Sequence, residues 1–206
     1  MTDRIAHLAV YDSLADWEPG YLLAELRTGR LTGVPFTIRT VAATAAPVTT
    51  MGGVRILPDM LLADLDPADS NLLILPGAAL WDDGGGHDFV SAAARFLDAG
   101  VPVAAICGAT AGLARAGLLD DRRHTSADAG YLTATRYAGS GHYVDARAVV
   151  DRDLITAGPQ SPVQFATAVL SRLGLVPQEV LDAYEGVFCR ADPAAYATLA
   201  AHTPAG

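Results

Sequence analysis

The sequence predicts an α/β protein with a mostly parallel sheet, helices on both faces and a late β-hairpin. Short apolar runs alternate along the chain with longer segments of helical spacing, a pattern typical of strand–helix–strand units. The run NLLILPG at 71–77 is almost wholly apolar, as expected of a strand covered on both faces. The run VPVAAIC at 101–107 is similar, and a helix of small residues follows it at once.

The first half of the chain supplies most of the predicted sheet. Apolar runs with strand character alternate there with segments of helical spacing, and Gly and Pro mark the turns between them. The predicted elements are, in order, a strand at 4–11, a helix at 15–28, a strand at 36–42, a hairpin around 50–53, a strand at 71–77, a helix at 89–100 and a strand at 101–107.

The second half continues the pattern and adds the hairpin. A helix is predicted at 127–137, two strands within 142–158 that turn at 151–153, and a packed helix at 161–174 that Gly174 ends. No linker, repeat or low-complexity segment is recognised, so residues 1–206 are interpreted as a single domain. The Ala- and Pro-rich tail at 192–206 is expected to fray unless Tyr196 and Leu199 dock it.

The composition and net charge of the chain disfavour several classes of partner. The chain has 206 residues, of which 51% are hydrophobic and 7% aromatic, and its formal net charge is -9. Such a charge disfavours nucleic acid and anionic membranes as partners. The two cysteines form no disulfide framework and have no metal-ligand spacing, so no metal is expected. Aromatic residues that could stack on a cofactor are scarce, and no cofactor is expected. The N-terminus lacks the pattern of a signal peptide, and a cytoplasmic location is expected.

Cys107 stands where the strand at 101–107 gives way to a helix that begins at Gly108. A sharp strand-to-helix turn exposes its central side chain, and the free N–H groups of a helix start favour a thiolate. This is the logic of a nucleophile elbow built around sulfur. The small residues that follow, among them Thr110, would let backbone and ligand approach closely. The alternative is that Cys107 is a small buried hydrophobic residue, as free cysteines usually are.

Further candidate residues lie on the same edge of the predicted sheet. The backbone N–H of Ala78, just after the strand at 71–77, could pair with the N–H of Gly108 to form an oxyanion hole; the alternative is an ordinary strand-end turn. Glu18 follows the first strand and is of interest because it lies on the same edge of the sheet as Cys107; the alternative is a solvated charge in the first turn of a helix. Trp17 and Trp81 could wall a pocket or belong to the core.

The chain resembles the ThiJ/PfpI superfamily, which includes the Parkinson-associated deglycase-like proteins and class I glutamine amidotransferase-like domains. The segments that carry the resemblance are LPGAALW, AAICGATAGLARAGLL, RRHTS, GHYVDARAVVDRDLITAGPQSPVQFA and the early Glu18, and it spans roughly residues 4–175. The resemblance implies a flavodoxin-like three-layer sandwich and a homodimer. It also implies that Cys107 is the reactive cysteine, that Glu18 hydrogen-bonds it, and that Ala78 and Gly108 supply oxyanion N–H groups.

The sequence departs from the family in its histidines. Protease-like members carry His directly after the nucleophile, where this chain has Gly108, and deglycase-like members carry a nearby His where it has Ala127. The His-x-Glu pair that a glutaminase needs is missing from AGPQSPVQFA, so glutamine hydrolysis is disfavoured. His124 lies near the site in chain order, and a structural role is favoured for it over a place in the pocket.

Three functional hypotheses remain open on this reading. The leading one is a cysteine-dependent hydrolase or lyase acting on a small electrophilic carbonyl, amide or isonitrile-like compound. Cys107 would be its nucleophile and Glu18 its proton donor or acceptor. The second is a redox or stress sensor that works through reversible oxidation of Cys107. The third is a non-catalytic binding domain that kept the elbow but has no histidine.

Overall fold

The computed structural model of the protein describes residues 4–202. Strands and helices alternate through most of this range, as the apolar pattern predicts. The strands are β1 (Ile5–Ala9), β2 (Thr37–Ala42), β3 (Val48–Thr49), β4 (Arg55–Ile56), β5 (Met60–Leu61), β6 (Leu72–Leu75), β7 (Val103–Ile106), β8 (Ala148–Asp151) and β9 (Leu154–Ala157). The α-helices are α1 (Trp17–Thr28), α2 (Ala79–Asp82), α3 (His87–Asp98), α4 (Gly108–Arg115), α5 (Ala129–Thr133), α6 (Pro162–Arg172), α7 (Gln178–Arg190) and α8 (Pro193–His202).

Seven of these strands form one sheet in the order β5-β2-β1-β6-β7-β9-β8. All neighbours in it are parallel except β8 and β9, which form the antiparallel hairpin that the sequence predicts. β3 and β4 pair separately as the hairpin expected around 50–53. Helices α1 and α6 pack together, while α3 packs with α4 against β7. The predicted flavodoxin-like α/β fold is therefore confirmed.

The strand order explains where a site can form. β1 lies between β2 and β6, so the chain first builds outward on one side of β1 and then crosses to the other. Ligands in open parallel sheets bind beyond the carboxyl ends of strands at such a reversal. The segments that follow β1, β6 and β7 carry Glu18, Gly77 and Cys107, in that order.

Two predicted segments differ from the structure. The helix expected at 127–137 is only the short α5, which Asp128 caps by accepting a hydrogen bond from the Tyr131 N–H. Beyond it Arg136 adopts a left-handed φ of 62°, which ends regular helix. The tail expected to fray at 192–206 instead forms α8 as far as His202. Leu199 is buried there, whereas Tyr196 is exposed. Residues 203–206 lie outside the described part of the chain.

Trp81 is the largest fully buried side chain, and glycine makes room for it. A Cβ added to Gly112 of α4 would lie 2.5 Å from a carbon of the indole ring, which is closer than non-bonded carbons approach. The close packing of the Trp81 ring against Gly112 explains why glycine, which weakens helices, occupies the middle of α4.

Gly112→Ala should therefore lower the free energy of unfolding, by about 1–3 kcal/mol, because overpacking outweighs the helix propensity that alanine adds. Gly20→Ala is the matched control, since Gly20 is exposed in α1 and a Cβ there would meet nothing within 4 Å. It should be neutral or raise stability by up to about 1 kcal/mol. Urea unfolding of both variants measures the contrast, and equal effects would contradict the packing argument.

No helix in residues 4–202 combines the length and apolar character needed to cross a bilayer.

Candidate functional site

Cys107 occupies a strained elbow between β7 and α4. Its backbone has φ 60° and ψ -128°, a conformation that side-chain-bearing residues rarely adopt. Neighbouring elements hold it there. The Cys107 N–H donates to the Ala157 carbonyl of β9 at 3.0 Å, and its carbonyl accepts from the Thr110 N–H at 3.1 Å. The backbone thus makes the sharp turn from strand to helix that the sequence pattern predicts at Cys107.

Thr110 supports this elbow from behind. Its side chain is fully buried, and its Oγ1 donates to the Cys107 carbonyl at 2.6 Å and contacts Ser126 Oγ at the same distance. Because its hydroxyl is turned towards backbone, Thr110 is not among the residues that line the pocket described below. Its expected place in the pocket is corrected to that of a support for the Cys107 backbone.

Glu18 is buried in the first turn of α1, a position where the alternative interpretation placed a solvated charge. Its Oε2 accepts a hydrogen bond from the Gly77 N–H at 2.6 Å. Its Oε1 is also buried and has no hydrogen-bond partner of regular geometry among residues 4–202. Burial raises the pKa of Glu18 from 4.5 to about 7, against the lowering effects of the Gly77 N–H and the Cys107 thiol. The carboxyl group can therefore hold a proton near neutral pH.

Gly77 allows the cysteine and the carboxyl group to meet. A Cβ added at this position would lie 2.9 Å from Cys107 Sγ and 2.9 Å from Glu18 Oε2. Both groups thus border the space above one glycine. This close approach, together with the hydrogen bond that the Gly77 N–H donates to Glu18, explains why the LPG segment ends in glycine.

The thiol is not the readily ionised group that a helix N-terminus suggests. Burial and the neighbouring Glu18 carboxylate raise the pKa of Cys107 from 9.0 to about 12, and the Gly108 N–H opposes them only weakly. The expectation that the helix start favours the thiolate is corrected accordingly. Between about pH 7 and pH 12 the two side chains together bind one proton. A catalytic thiolate would arise by passing the thiol proton to Glu18.

The two N–H groups expected to form an oxyanion hole lie at this edge of the sheet. The backbone of Ala78 is extended, and within residues 4–202 its N–H has no acceptor. The Gly108 N–H interacts with the Cys107 sulfur. A Cβ on Gly108 would lie 3.4 Å from the Ala78 carbonyl oxygen, so the two peptide segments are adjacent. The Ala78 N–H is therefore available to a ligand, whereas the Gly108 N–H would have to exchange the sulfur for the ligand's oxygen.

A pocket of about 280 Å³ opens above this pair. Small and apolar side chains form much of its wall, and Trp17, which is half exposed, is among them as expected. The lining residues are Ala15, Trp17, Glu18, Met51, Gly77, Ala78, Ala79, Asp82, Cys107, Gly108, Ala127 and Tyr131.

Trp81 and His124 do not line this pocket. Trp81 is buried in the core, where its Nε1 donates to the Pro76 carbonyl at 3.0 Å. His124 is also fully buried. Its Nδ1 is 2.7 Å from the Arg122 carbonyl and its Nε2 is 2.9 Å from the Tyr137 hydroxyl, so both ring nitrogens have partners. Trp81 as a pocket wall is therefore corrected to a core residue, and the structural role favoured for His124 fits its contacts.

Sequence reasoning missed Tyr131 and Asp82. Tyr131 of α5 donates its hydroxyl proton to Asp82 Oδ1 of α2 at 2.8 Å, across the pocket mouth. Their separation of 49 residues hides the contact in the sequence. The one available signal was Asp82 itself, a carboxylate four residues after the candidate oxyanion donor Ala78.

Gly77→Ala tests the close approach of the pair. The new methyl group must displace Cys107 Sγ or Glu18 Oε2, which should cost about 1–3 kcal/mol of stability. Moving the carboxylate away from sulfur should also lower the Cys107 pKa and speed its alkylation at pH 8. Peptide mass spectrometry after timed iodoacetamide labelling measures the rate, with exposed Cys189 as the internal control. An unchanged Cys107 rate would show that the side chains do not share this space.

Comparison with known proteins agrees with this architecture. Residues 4–172 match the DJ-1/PfpI family. The chain belongs to this family. It is 36% identical over 186 residues to the "Uncharacterized protease YoaZ" of Bacillus subtilis, covering 88% of this chain and 89% of the relative. The "Uncharacterized protease YdeA" of the same organism is 31% identical over 168 residues, covering 80% of each chain.

A solved structure extends the similarity to nearly the whole length of both chains. The thiJ/pfpI family protein from Bacillus anthracis superposes with a TM-score of 0.91 at 35% sequence identity, covering 100% of this chain and 99% of that one. The resemblance inferred from the sequence motifs is confirmed.

Proposed function

We propose that the protein is a cysteine-dependent hydrolase or lyase for a small electrophilic carbonyl, amide or isonitrile-like compound, with Cys107 as its nucleophile. One observation carries the proposal. The Cys107 thiol stands on a strained strand-to-helix turn and lies beside the buried Glu18 carboxyl group, whose pKa is about 7. Only a glycine, Gly77, fits next to both groups, and all three residues line the pocket. Structural cysteines need neither the strained backbone nor a partner that titrates near neutrality.

For an amide the chemistry balances with these groups alone. Glu18 as carboxylate takes the thiol proton, and Cys107 Sγ bonds to the carbonyl carbon while the C=O π electrons move to oxygen. The N–H groups of Ala78 and Gly108 stabilise that oxyanion. As the C=O bond re-forms, the C–N bond breaks and the leaving nitrogen takes the proton from Glu18. Water then bonds to the thioester carbon and gives a proton to the Glu18 carboxylate. The C–S bond breaks as the C=O bond re-forms, which releases the acid, and the proton on Glu18 returns to the Cys107 thiolate.

The size of the pocket favours small substrates. A volume of about 280 Å³ lies at the lower end of ordinary ligand sites. The names of the Bacillus subtilis relatives are compatible with a hydrolase, and we propose a small molecule rather than a protein as the substrate.

Redox sensing is the weaker candidate. Peroxide reacts with thiolates, and the raised pKa of the half-buried Cys107 keeps its thiolate scarce at neutral pH. The neighbouring Glu18 could donate a hydrogen bond to an oxidised sulfur, which is the one feature in favour of this function.

Turnover of a panel of small amides, aldehydes, esters and isonitriles tests the proposal, with intact-protein mass spectrometry to trap an adduct. We expect turnover of at least one class and an adduct on Cys107 but not on Cys189. A parallel arm treats the protein with graded peroxide. Selective, reversible oxidation of Cys107 without turnover of any compound would favour the sensor and overturn the enzyme.

A further inference from the structure

The pocket lining contains a polar pair in addition to the proposed reaction groups. The Tyr131 hydroxyl donates to Asp82 Oδ1 at 2.8 Å, and both residues line the pocket with Cys107. Since a phenol has a single proton, a hydroxyl committed to Asp82 presents its lone pairs to other groups. Asp82 is also near enough to sulfur for its charge to matter, because it adds to the effects of burial and of Glu18 in raising the Cys107 pKa.

The charge of the lining has a single sign. Glu18 and Asp82 are its ionisable carboxyl groups, and the lining contributes no Lys, Arg or His among the described residues. Arg115, whose charge is felt at Tyr131, donates through Nη1 to the Trp81 carbonyl at 2.6 Å. Anionic ligands would therefore meet carboxylates but no cationic side chain in the described lining itself, since Arg115 lies outside it.

A second observation marks the pocket as a place for a polar ligand. Glu18 is fully buried, and its Oε1 has no hydrogen-bond partner of regular geometry among residues 4–202. The free Ala78 N–H lines the same space. A buried polar group without a partner is costly, so a bound molecule that supplies one gains affinity.

We propose that Tyr131, oriented by Asp82, is a specificity-determining acceptor that selects uncharged substrates bearing an N–H or O–H donor, and that Asp82 excludes carboxylates. This inference rests on the proposed role of the pocket around Cys107. Primary amides and hydroxy-aldehydes fit both requirements. Isonitriles and simple esters lack the donor, and 2-oxo acids carry the excluded charge. The set of substrates named above is thereby narrowed.

The test uses alkylating reagents as probes, so it does not depend on turnover. Chloroacetamide and chloroacetone have nearly the same shape, but only the amide carries an N–H donor. Iodoacetamide and iodoacetate differ in charge. The rate of each reagent at Cys107 is divided by its rate at exposed Cys189 in the same chain, which cancels intrinsic reactivity. Comparing ratios of reagents also cancels any change in the Cys107 pKa.

In the parent protein, Cys107 should prefer chloroacetamide over chloroacetone and iodoacetamide over iodoacetate. Tyr131→Phe should reduce the first preference roughly 2- to 10-fold, the value of one hydrogen bond. Asp82→Asn should reduce the second roughly 3- to 10-fold by removing one nearby charge. Circular dichroism and thermal unfolding confirm that each variant is folded.

Ratios that equal those of the parent in both folded variants would overturn the inference, even if the enzyme proves active. If the ratios change as expected but no compound on the panel is turned over, the selectivity of the pocket stands and the proposed function fails. The two proposals therefore fail separately.

Discussion

Cys107→Ala should lower kcat/KM for the compound that the panel identifies by about 10³-fold or more, because removing a nucleophile leaves only binding and oxyanion stabilisation. The fold should survive. Within residues 4–202 the Cys107 sulfur makes no hydrogen bond of regular geometry and interacts with the Glu18 carboxyl and the Gly108 N–H, so stability should change by about 1 kcal/mol or less. Steady-state kinetics and urea unfolding measure the two effects.

Cys189→Ala is the matched control for this variant. Cys189 is exposed on α7, where its sulfur accepts a hydrogen bond from Gln164 Nε2 at 3.1 Å, and neither residue is among those that line the pocket. Its removal should leave kcat/KM unchanged. Activity that persists in Cys107→Ala would refute the nucleophile, and equal losses in both variants would indicate a general effect on folding.

Glu18→Gln should make the protein more stable at pH 8 by up to roughly 3 kcal/mol while lowering kcat/KM by about 10²-fold. Glutamine has the same shape and can still accept the Gly77 N–H, but it has no charge to bury. It also cannot take or return a proton, so the proposed transfer from sulfur is lost.

The sign of the stability effect follows from the raised pKa of Glu18. Below about pH 4.5 the carboxyl group is protonated in both the folded and unfolded parent, and the two proteins should be about equally stable. As the pH rises to about 7, the folded parent holds its proton while the unfolded chain releases it, so parent stability falls. The glutamine variant lacks this loss. Urea unfolding from pH 4 to pH 8 should show the gap opening across that window.

Glu25→Gln provides a control on the same helix. Glu25 is also buried, but it is paired with Arg30. Its neutralisation should destabilise the protein at pH 8, because it leaves the guanidinium without its partner. If Glu18→Gln is likewise less stable than the parent at pH 8, the claim that Glu18 is a buried carboxylate destabilised by its lack of a cationic partner is wrong.

The same variant reports which atom holds the shared proton. Neutralising Glu18 removes two causes that raise the Cys107 pKa, so the pKa should fall below about 12 and alkylation at pH 8 should become faster. Cys107 should then be alkylated more slowly in the parent than in Glu18→Gln, although the parent has the higher kcat/KM. If the parent is alkylated as fast as the variant, with a midpoint near pH 7, the proton lies on Glu18 rather than on sulfur in the resting enzyme.

The sequence by itself determined the architecture and the position of the elbow. Unbroken apolar runs such as 71–77 have few alternatives to a strand buried on both faces, and β6 is buried throughout. The change from strand to small-residue helix at Cys107 is a local signal, because the apolar run and the small residues that mark it are adjacent in the sequence. The motifs around it were enough to identify the family.

Only the tertiary structure decided what surrounds that cysteine. The burial of Glu18, the contact between Asp82 and Tyr131 and the partners of His124 depend on segments far apart in the chain. The exposure of one side chain in a segment as short as α2 cannot be derived from local pattern, and so Trp81, a plausible pocket wall in the sequence, proved to be core. The same reason explains the thiol pKa. A helix start favours the thiolate locally, but burial and a carboxylate brought in from α1 outweigh it.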